Sequence, residues 1–371
     1  MFLYVLTFVL ALLLSLYGVP LARRAALLFS IVDRPDGRLK HQVEPVPYFG
    51  GLALYLAFLI SLALTFEFRQ DVLGLVLAGT LMVMLGLIDD FGVLSPMSKL
   101  IGQLIAVFVL IRSGIRIEIT AFPEWLDILL TVFWMIGIIN ALNIIDVMDG
   151  LAGGIGIIAC AWLFVVAVLN HDTAVAVMLA ALAGSLLGFL RYNFYPASIY
   201  MGDAGSLFLG LMLGAMAMIG KYTAVNPVAI LSPVLILGVP VFDTLFVMYV
   251  RWLRGIPVFL GSPDHFALRL RQWALSVPQV VVVSYGMALA LGGVALLAMF
   301  ASTETAAALI ATTTILAVLA AAWLKRIDMS RSSGAGLPGD PAGKSGALEV
   351  MNLPAHVIER PGPASSDGRA P

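Results

Sequence analysis

Apolar residues in this chain come in long unbroken runs. They do not follow the alternation of half-buried strands or the one-sided stripes of surface helices. The runs lie near 2–21, 48–66, 72–88, 100–114, 127–144, 151–169, 173–190, 204–220, 228–250, 278–300 and 305–324. A bilayer core takes about 20 mostly apolar residues per helix. The pattern therefore predicts eleven membrane-spanning helices, or ten if the short run at 100–114 does not cross or the run at 127–144 merges with the polar segment after it. The predicted fold class is an all-α polytopic membrane protein of about 10–11 transmembrane helices, with active-site loops on the cytoplasmic face. Beyond the last run the sequence turns to Gly, Pro and Ser, as in SGAGLPGDPAGKSG and PGPASSDGRAP. That composition predicts a disordered tail. The chain then divides into an integral-membrane domain, 1–326, and a cytoplasmic tail, 327–371. No internal repeat is visible.

Composition narrows the function. Of 371 residues, 61% are hydrophobic and only 12% charged, against about 25% charged in a soluble domain. A water-soluble enzyme, a disordered protein and a basic nucleic-acid binder are excluded, and a net charge of −1 attracts no anionic polymer. The single cysteine, Cys160, excludes an internal disulfide. Charge also sets direction. With the N-terminus outside, every Lys and Arg except Arg69, Arg112, Arg116 and Lys221 falls on the cytoplasmic side, as the positive-inside rule requires. The first run has no basic segment before it, and Arg23-Arg24 follow it. It reads as a retained span, not a cleaved signal peptide.

On this topology the acids gather at one face. Asp89 and Asp90 end the third run in GLIDDFG. Asp146 and Asp149 end the fifth in NALNIIDVMDGLAGG. Asp203 opens the eighth in YMGDAGS, and Asp264 lies in the loop after the ninth. Asp243, in PVFDTLF, sits inside the ninth run instead. A carboxylate near membrane depth needs a partner, a cation or water. Any single one is as readily a helix cap or a solvated loop residue. The five at the ends of runs on one face, with few fixed cations beside them, point to a divalent cation. Mg²⁺ prefers one or two carboxylates plus waters and phosphate oxygens. Asn140, Asn143, Asp146 and Asp149 recur every third residue and would form a polar stripe on a helix. An interhelical hydrogen-bonding stripe is the plainer reading, but two Asp at its end argue for more. Gly150, Gly153 and Gly154 then permit a tight break.

A second feature is the stretch from Gly261 to Trp273. Ser262 suits an N-cap and Pro263 the first helical position, which puts His265 in the first turn. Phe266, Leu270 and Trp273 would share one face, and His265, Arg269 and Gln272 another. Such a helix could lie on the membrane surface with free N–H groups for an anion. The first cytoplasmic loop, RLKHQ…VPYFGG, adds Lys40 before a Gly-Gly break, though a basic loop is commonly only topogenic. No GxxxxGK and no GxSxG occurs, so neither a P-loop nor a serine-hydrolase elbow is present.

These motifs together resemble the polyprenyl-phosphate N-acetylhexosamine-1-phosphate transferases. That integral-membrane family (glycosyltransferase family 4) includes the phospho-MurNAc-pentapeptide translocase, and the likeness is to its surface-glycan-initiating branch. DDFG with Lys99, NALNIIDVMDGLAGG, NFYPASIYMGDAGS and PVFDTLF with a His-bearing loop stand in the family's order, and the likeness covers about residues 1–325. The resemblance implies transfer of N-acetylhexosamine 1-phosphate from a UDP-sugar to polyprenyl (undecaprenyl) phosphate, releasing UMP. It implies Mg²⁺, with Mn²⁺ as an alternative ion, at Asp203 and Asp90. Asp89, Asp90 and His265 would be catalytic, Asp89 and Asp90 acting on the lipid phosphate and His265 on the diphosphate. Lys40, Lys99, Asn143, Asp146, Asp149, Asn193, Tyr200 and Arg269 would bind substrate, Asn193 and Tyr200 near the uridine. Partners would be UDP-N-acetylhexosamine, polyprenyl phosphate and membrane lipid, with a homodimer compatible and no nucleic acid. The implied location is the inner (cytoplasmic) membrane. Two departures stand out: Ala267 and Leu268 occupy places where the family's loop carries further histidines, and Val147 follows Asp146 where glycine is common. One-step transfer and a covalent aspartyl-phosphate both remain open. The rivals are a transporter or lipid flippase, and a non-catalytic scaffold of a glycan-assembly complex.

Overall fold

The computed structural model describes residues 1–29, 31–33, 46–67, 70–119, 122–255, 257, 264–327 and 329. The expectations for Lys40, for the Ser262–Pro263 helix start and for most of the 327–371 tail lie outside the described residues. The eleven apolar runs all form helices: α1 (Phe2–Leu28), α2 (Gly50–Thr65), α3 (Gln70–Asp90), α4 (Pro96–Arg112), α5 (Glu124–Ile145), α6 (Leu151–Leu169), α7 (Thr173–Asn193), α8 (Gly202–Ile219), a bent pair α9 (Ser232–Ile236) and α10 (Gly238–Leu253), then α12 (Val277–Phe300) and α13 (Thr303–Leu324). A short α11 (Phe266–Gln272) precedes α12. Two-residue strands, β1 (Val32–Asp33) and β2 (Val46–Pro47), pair antiparallel with Val32 opposite Pro47.

Among the described residues, eight helices are long and apolar enough to cross a membrane, and the bent pair brings the number to nine. The chain is thus a multi-pass membrane protein. The shortfall from eleven comes from α2 and α4, with 16 and 17 residues. At 1.5 Å per residue they rise about 24–26 Å, short of a 30 Å core. The ninth run is not one straight helix. A 3-10 turn at Pro227–Leu231 leads into α9, and the chain bends by 78° before α10. Pro227, Pro233 and Pro240 supply the reason, since each removes a backbone donor and crowds the turn before it.

The core sits around α8, which packs against α3, α5, α2, α6 and α7. It is buried along nearly its whole length. Lipid offers no hydrophobic drive between helices, so small residues allow close backbone approach. Gly51 of α2 meets Gly205 of α8, Gly86 of α3 meets Ala204, and Gly210 meets Ile139 of α5. By contrast α13 turns an apolar face outward, with Ile315, Leu316, Val318 and Leu319 exposed. Antiparallel alternation brings the ends of α3, α5 and α7 beside the starts of α4, α6 and α8.

Candidate active site

Four helix ends build the centre of the site. Ser95 caps α4, accepting from the Ser98 N–H at 3.1 Å, with Pro96 at the first position. This sets Lys99 on the first turn. Its Nζ lies 2.7 Å from Asp89 Oδ2, 2.6 Å from Asp203 Oδ2 and 3.1 Å from Asn143 Oδ1. Asn143 Nδ2 donates to Asp203 Oδ1 at 2.7 Å and to Ser206 Oγ at 2.9 Å. The Asp89 and Asp203 carboxylates are also within hydrogen-bonding reach of each other. One ammonium therefore joins two carboxylates from α3 and α8, with α5 contributing the amide between them.

Asp90 does something different. Its Oδ1 accepts from the Asp203 N–H at 2.7 Å and its Oδ2 from the Ala204 N–H at 3.3 Å. It caps α8 from another helix, meeting free N–H groups and the positive end of the dipole. Gly202 holds φ +69°, and a Cβ there would sit 2.7 Å from Asp90 Oδ2. The glycine in MGD is thus required twice, by backbone sign and by space.

One turn deeper, Gln103 and Asn140 exchange amide hydrogen bonds. Gln103 Nε2 donates to Asn140 Oδ1 at 3.2 Å, and Asn140 Nδ2 returns to Gln103 Oε1 at 2.9 Å. Gln103 follows Lys99 by four residues and Asn140 precedes Asn143 by three, so this pair fixes the register of the helices carrying both. Gln103→Leu is expected to leave the Asn140 amide half-paired and to cost about 1 kcal/mol. Thermal unfolding of the purified variant checks this, together with a severalfold, not total, loss of activity.

The polar stripe breaks where its helix ends. α5 stops at Ile145, Asp146 lies beyond it, and Gly150 takes φ +77° before α6. Loss of hydration, then the charges of Asp203, Asp90 and Asp149, push the Asp146 carboxyl up to about 7. Burial likewise raises Asp149. Opposing that, Asp149 Oδ2 accepts from the Ala197 N–H at 2.9 Å, and Arg271 lies near enough to favour its charged form. Asn193 is buried and spent on the backbone: its Oδ1 accepts from Gly150 N at 3.1 Å, and its Nδ2 donates to Ile199 O at 3.0 Å. It joins two loops, and the structure does not offer it to a nucleotide. The Tyr200 ring stands 6.3 Å from that of Tyr48, and its N–H donates to Pro47 O at 2.9 Å.

The histidine loop departs most from expectation. Asp264 and His265 are not helical. His265 is the N-cap, and α11 starts at Phe266. The helix does not lie on the surface: Phe266, Ala267, Arg269 and Leu270 are buried. The anion expected at its N-terminus is already present in the protein. Asp243 of α10 accepts the Phe266 N–H on Oδ1 at 2.8 Å, and its Oδ2 lies 2.8 Å from His265 Nδ1. Arg269, expected to meet substrate, is 0% exposed. It donates to Asp264 Oδ1 at 2.7 Å and to the α13-end carbonyls of Leu324 at 3.1 Å and Ile327 at 3.0 Å. Arg254 bonds the same Asp264 at 2.9 Å. Arg269 is a clamp between this loop and the last helix.

The structure thus joins Lys99, Asp89, Asn143 and Asp203 directly, with Asp146 and Asp149 beside them. Sequence reasoning passed over Ser206, Gln103 and Tyr285, whose hydroxyl donates to Gly150 O at 2.6 Å. Only Gln103 carried a signal, its spacing from Lys99. Among the described residues no three acids, histidines or cysteines form a ready metal cage. The converging donors are hard carboxylate oxygens, which suits Mg²⁺ or Mn²⁺ completed by phosphate and water, not a softer ion.

The sequence pattern of Glycosyl transferase family 4 matches residues 72–221, the segment holding these motifs. A Bacillus subtilis protein named Probable undecaprenyl-phosphate N-acetylglucosaminyl 1-phosphate transferase is 33% identical over 290 residues, covering 76% of this chain and 81% of the relative. A Mycolicibacterium smegmatis decaprenyl-phosphate N-acetylglucosaminephosphotransferase is 33% identical over 313 residues, covering 74% and 77%. A Halalkalibacterium halodurans phospho-N-acetylmuramoyl-pentapeptide-transferase is 33% identical over 299 residues, covering 73% and 89%.

Proposed function

The chain belongs to glycosyl transferase family 4, and from that premise we propose that it transfers N-acetylhexosamine 1-phosphate from a UDP-sugar to polyprenyl phosphate, releasing UMP. The observation that carries this reading is Lys99 bridging Asp89 and Asp203 beside Asn143, at helix ends on one side of the bundle. A transporter would place such charges near the midplane between repeats. Positive-inside counting puts this side in the cytoplasm of the inner membrane, with the N-terminus outside and the C-terminus inside. Nucleotide sugars would then reach it from the cytosol and the lipid phosphate from the bilayer.

Asp203 and Asp89 would hold the divalent cation, Mg²⁺ by preference. Asp90, whose oxygens already serve the α8 N-terminus, would position Asp203 instead. Bound there, the cation would offset charge on the diphosphate and the departing UMP. The remaining work falls to the chain. An oxygen of the lipid phosphate attacks the β-phosphorus, the bond from that phosphorus to the bridging oxygen breaks, and UMP leaves with the bridging oxygen. The attacking phosphate is largely ionised near neutral pH, its second pKa being about 6. It needs no strong base, so placement and fixed charge dominate. Lys99 places a cation where those oxygens crowd, and Asn143 holds Asp203 in line. His265 approaches the diphosphate from the loop after α10, and Arg271 places that loop beside Asp149.

The test is UMP release by the full chain in membranes or detergent. UDP-N-acetylglucosamine, UDP-N-acetylgalactosamine and UDP-MurNAc-pentapeptide are each offered with undecaprenyl phosphate. Release is expected with at least one sugar, and only when lipid phosphate and Mg²⁺ or Mn²⁺ are both present. Active-site integrity without release from any of them would overturn the assignment.

A further inference from the structure

We infer that Asp243 is the positioning residue of His265, fixing which ring nitrogen faces the ligand. This deepens the proposed reaction and rests on it. The acid lies inside an apolar helix, is 0% exposed and touches neither Lys99 nor Asp203. A carboxylate buried in this way is costly unless both oxygens are used.

Both are. Oδ1 takes the Phe266 N–H and Oδ2 takes His265 Nδ1, each at 2.8 Å. An ionised carboxylate only accepts, so Nδ1 carries a proton. The other nitrogen, Nε2, has no partner among the described residues, and the ring keeps a 9% exposed edge. Two bonds to consecutive residues fix both the ring and the backbone that bears it. The open Nε2 is then the atom left for a diphosphate oxygen, which it meets as a donor when the ring is doubly protonated. The Asp243 charge balances that cation. This is the logic by which an outer carboxylate sets a histidine's tautomer and direction.

The loop has a second, separate support. Asp264, the residue before His265, is gripped by Arg254 and Arg269, and Arg269 reaches the end of α13. Asp264 holds the loop in place, whereas among the described residues Asp243 is the hydrogen-bond partner of the ring. The division matters because this loop has Ala267 and Leu268 in place of further histidines. No second imidazole of α11 can substitute for it, so its orientation carries more of the effect.

The test is a double-mutant cycle on the full chain, using UDP-N-acetylglucosamine, or whichever UDP-sugar releases UMP, and undecaprenyl phosphate. His265→Ala and Asp243→Asn are each expected to lower kcat/KM by about 10–100-fold. The pair together should lose no more than about twofold beyond His265→Ala, because an orienter has nothing left to orient. Asp243→Glu, which keeps the charge one methylene away, should recover part of the loss. It also serves the cycle if Asp243→Asn does not fold. A second readout needs no turnover. Diethyl pyrocarbonate should modify His265, located by peptide mass, and UDP-sugar should protect it in wild-type protein but not in Asp243→Asn. Losses that multiply in the double variant, or an Asp243→Asn as active as wild type beside an impaired His265→Ala, would overturn the positioning role. Full activity in His265→Ala would instead sink the diphosphate contact on which the inference rests.

Discussion

Asp203→Asn is expected to lower the rate of UMP release at least about a hundredfold while the protein still inserts and unfolds at its usual temperature. Removing one preorganised charge or donor from a phosphoryl- or acyl-transfer site commonly costs 10²–10³ in rate. The Asp203 carboxylate meets three side chains of this site. Its Oδ2 holds Lys99 at 2.6 Å, its Oδ1 holds Asn143 at 2.7 Å, and Asp89 stands within reach. Asparagine keeps the shape and one acceptor oxygen but loses the charge that anchors Lys99 and that a divalent cation would need. Lys99 would then keep Asp89 and the Asn143 amide oxygen. Asp90→Asn provides the contrast. Its oxygens accept from two backbone N–H groups, and an amide can serve only one of them. That variant should lose activity through a shifted α8 start, with a lower unfolding temperature accompanying the lower rate. Initial rates and thermal unfolding of both variants separate these causes. An Asp203→Asn rate within threefold of wild type would remove Asp203 from the centre of the chemistry.

Most of this site could be read along the chain because lipid makes polar residues expensive. Asp89, Lys99, Asn143, Asp146, Asp149 and Asp203 stand out against 61% hydrophobic residues. Each marks a helix end, and an alternating topology forces those ends together. The same reasoning found all eleven helical runs. What it could not weigh was competition for each donor and acceptor. Asp89 and Asp90 are equivalent in sequence, yet one faces Lys99 and the other caps α8. The difference is about 100° of rotation per residue around α3, which only packing resolves. Asn193 and Arg269 fit binding roles by type, but both are buried and engaged within the protein, Asn193 with the Gly150 N–H and the Ile199 carbonyl, Arg269 with Asp264 and the carbonyls of Leu324 and Ile327, a state decided by distant segments. Asp243 was visible as a lone acid in an apolar run. Its partner lies 22 residues on, beyond a bend made by prolines, and no local periodicity connects them. The first turn around His265 misled for the same reason: His265 is the N-cap, and α11 begins at Phe266, whose N–H donates to the distant Asp243 carboxylate.

Gly51→Val is expected to damage the protein as severely as loss of a charge, although it touches no charged group. A Cβ at Gly51 would lie 2.2 Å from Gly205 N, 2.4 Å from Gly205 Cα and 2.6 Å from Met201 O. All three are backbone atoms, so no flexible side chain can move aside. The same crossing carries hydrogen bonds from Gly50 N to Tyr200 O at 3.1 Å and from Gly51 N to Met201 O at 2.9 Å. They tie the start of α2 to the turn that places Asp203. The added Cβ and its two methyls must separate α2 from α8, break those bonds and displace Asp203 from Lys99. Overpacking a tight core costs about 1–3 kcal/mol, and occasionally more. A backbone-to-backbone crossing should fall at or above the top of that range, with UMP release reduced by an order of magnitude or more in whatever protein folds. Gly137→Ala on α5 is the control, since nothing lies within 4 Å of its added Cβ and alanine favours the helix. It should be neutral or slightly stabilising. Thermal unfolding and UMP release of the two variants, compared side by side, test whether this glycine crossing sets the geometry of the site. Equal behaviour of the two would mean that α2 and α8 can separate without cost, and the placement of Asp203 would then have to come from Asp90 and Asn143 alone.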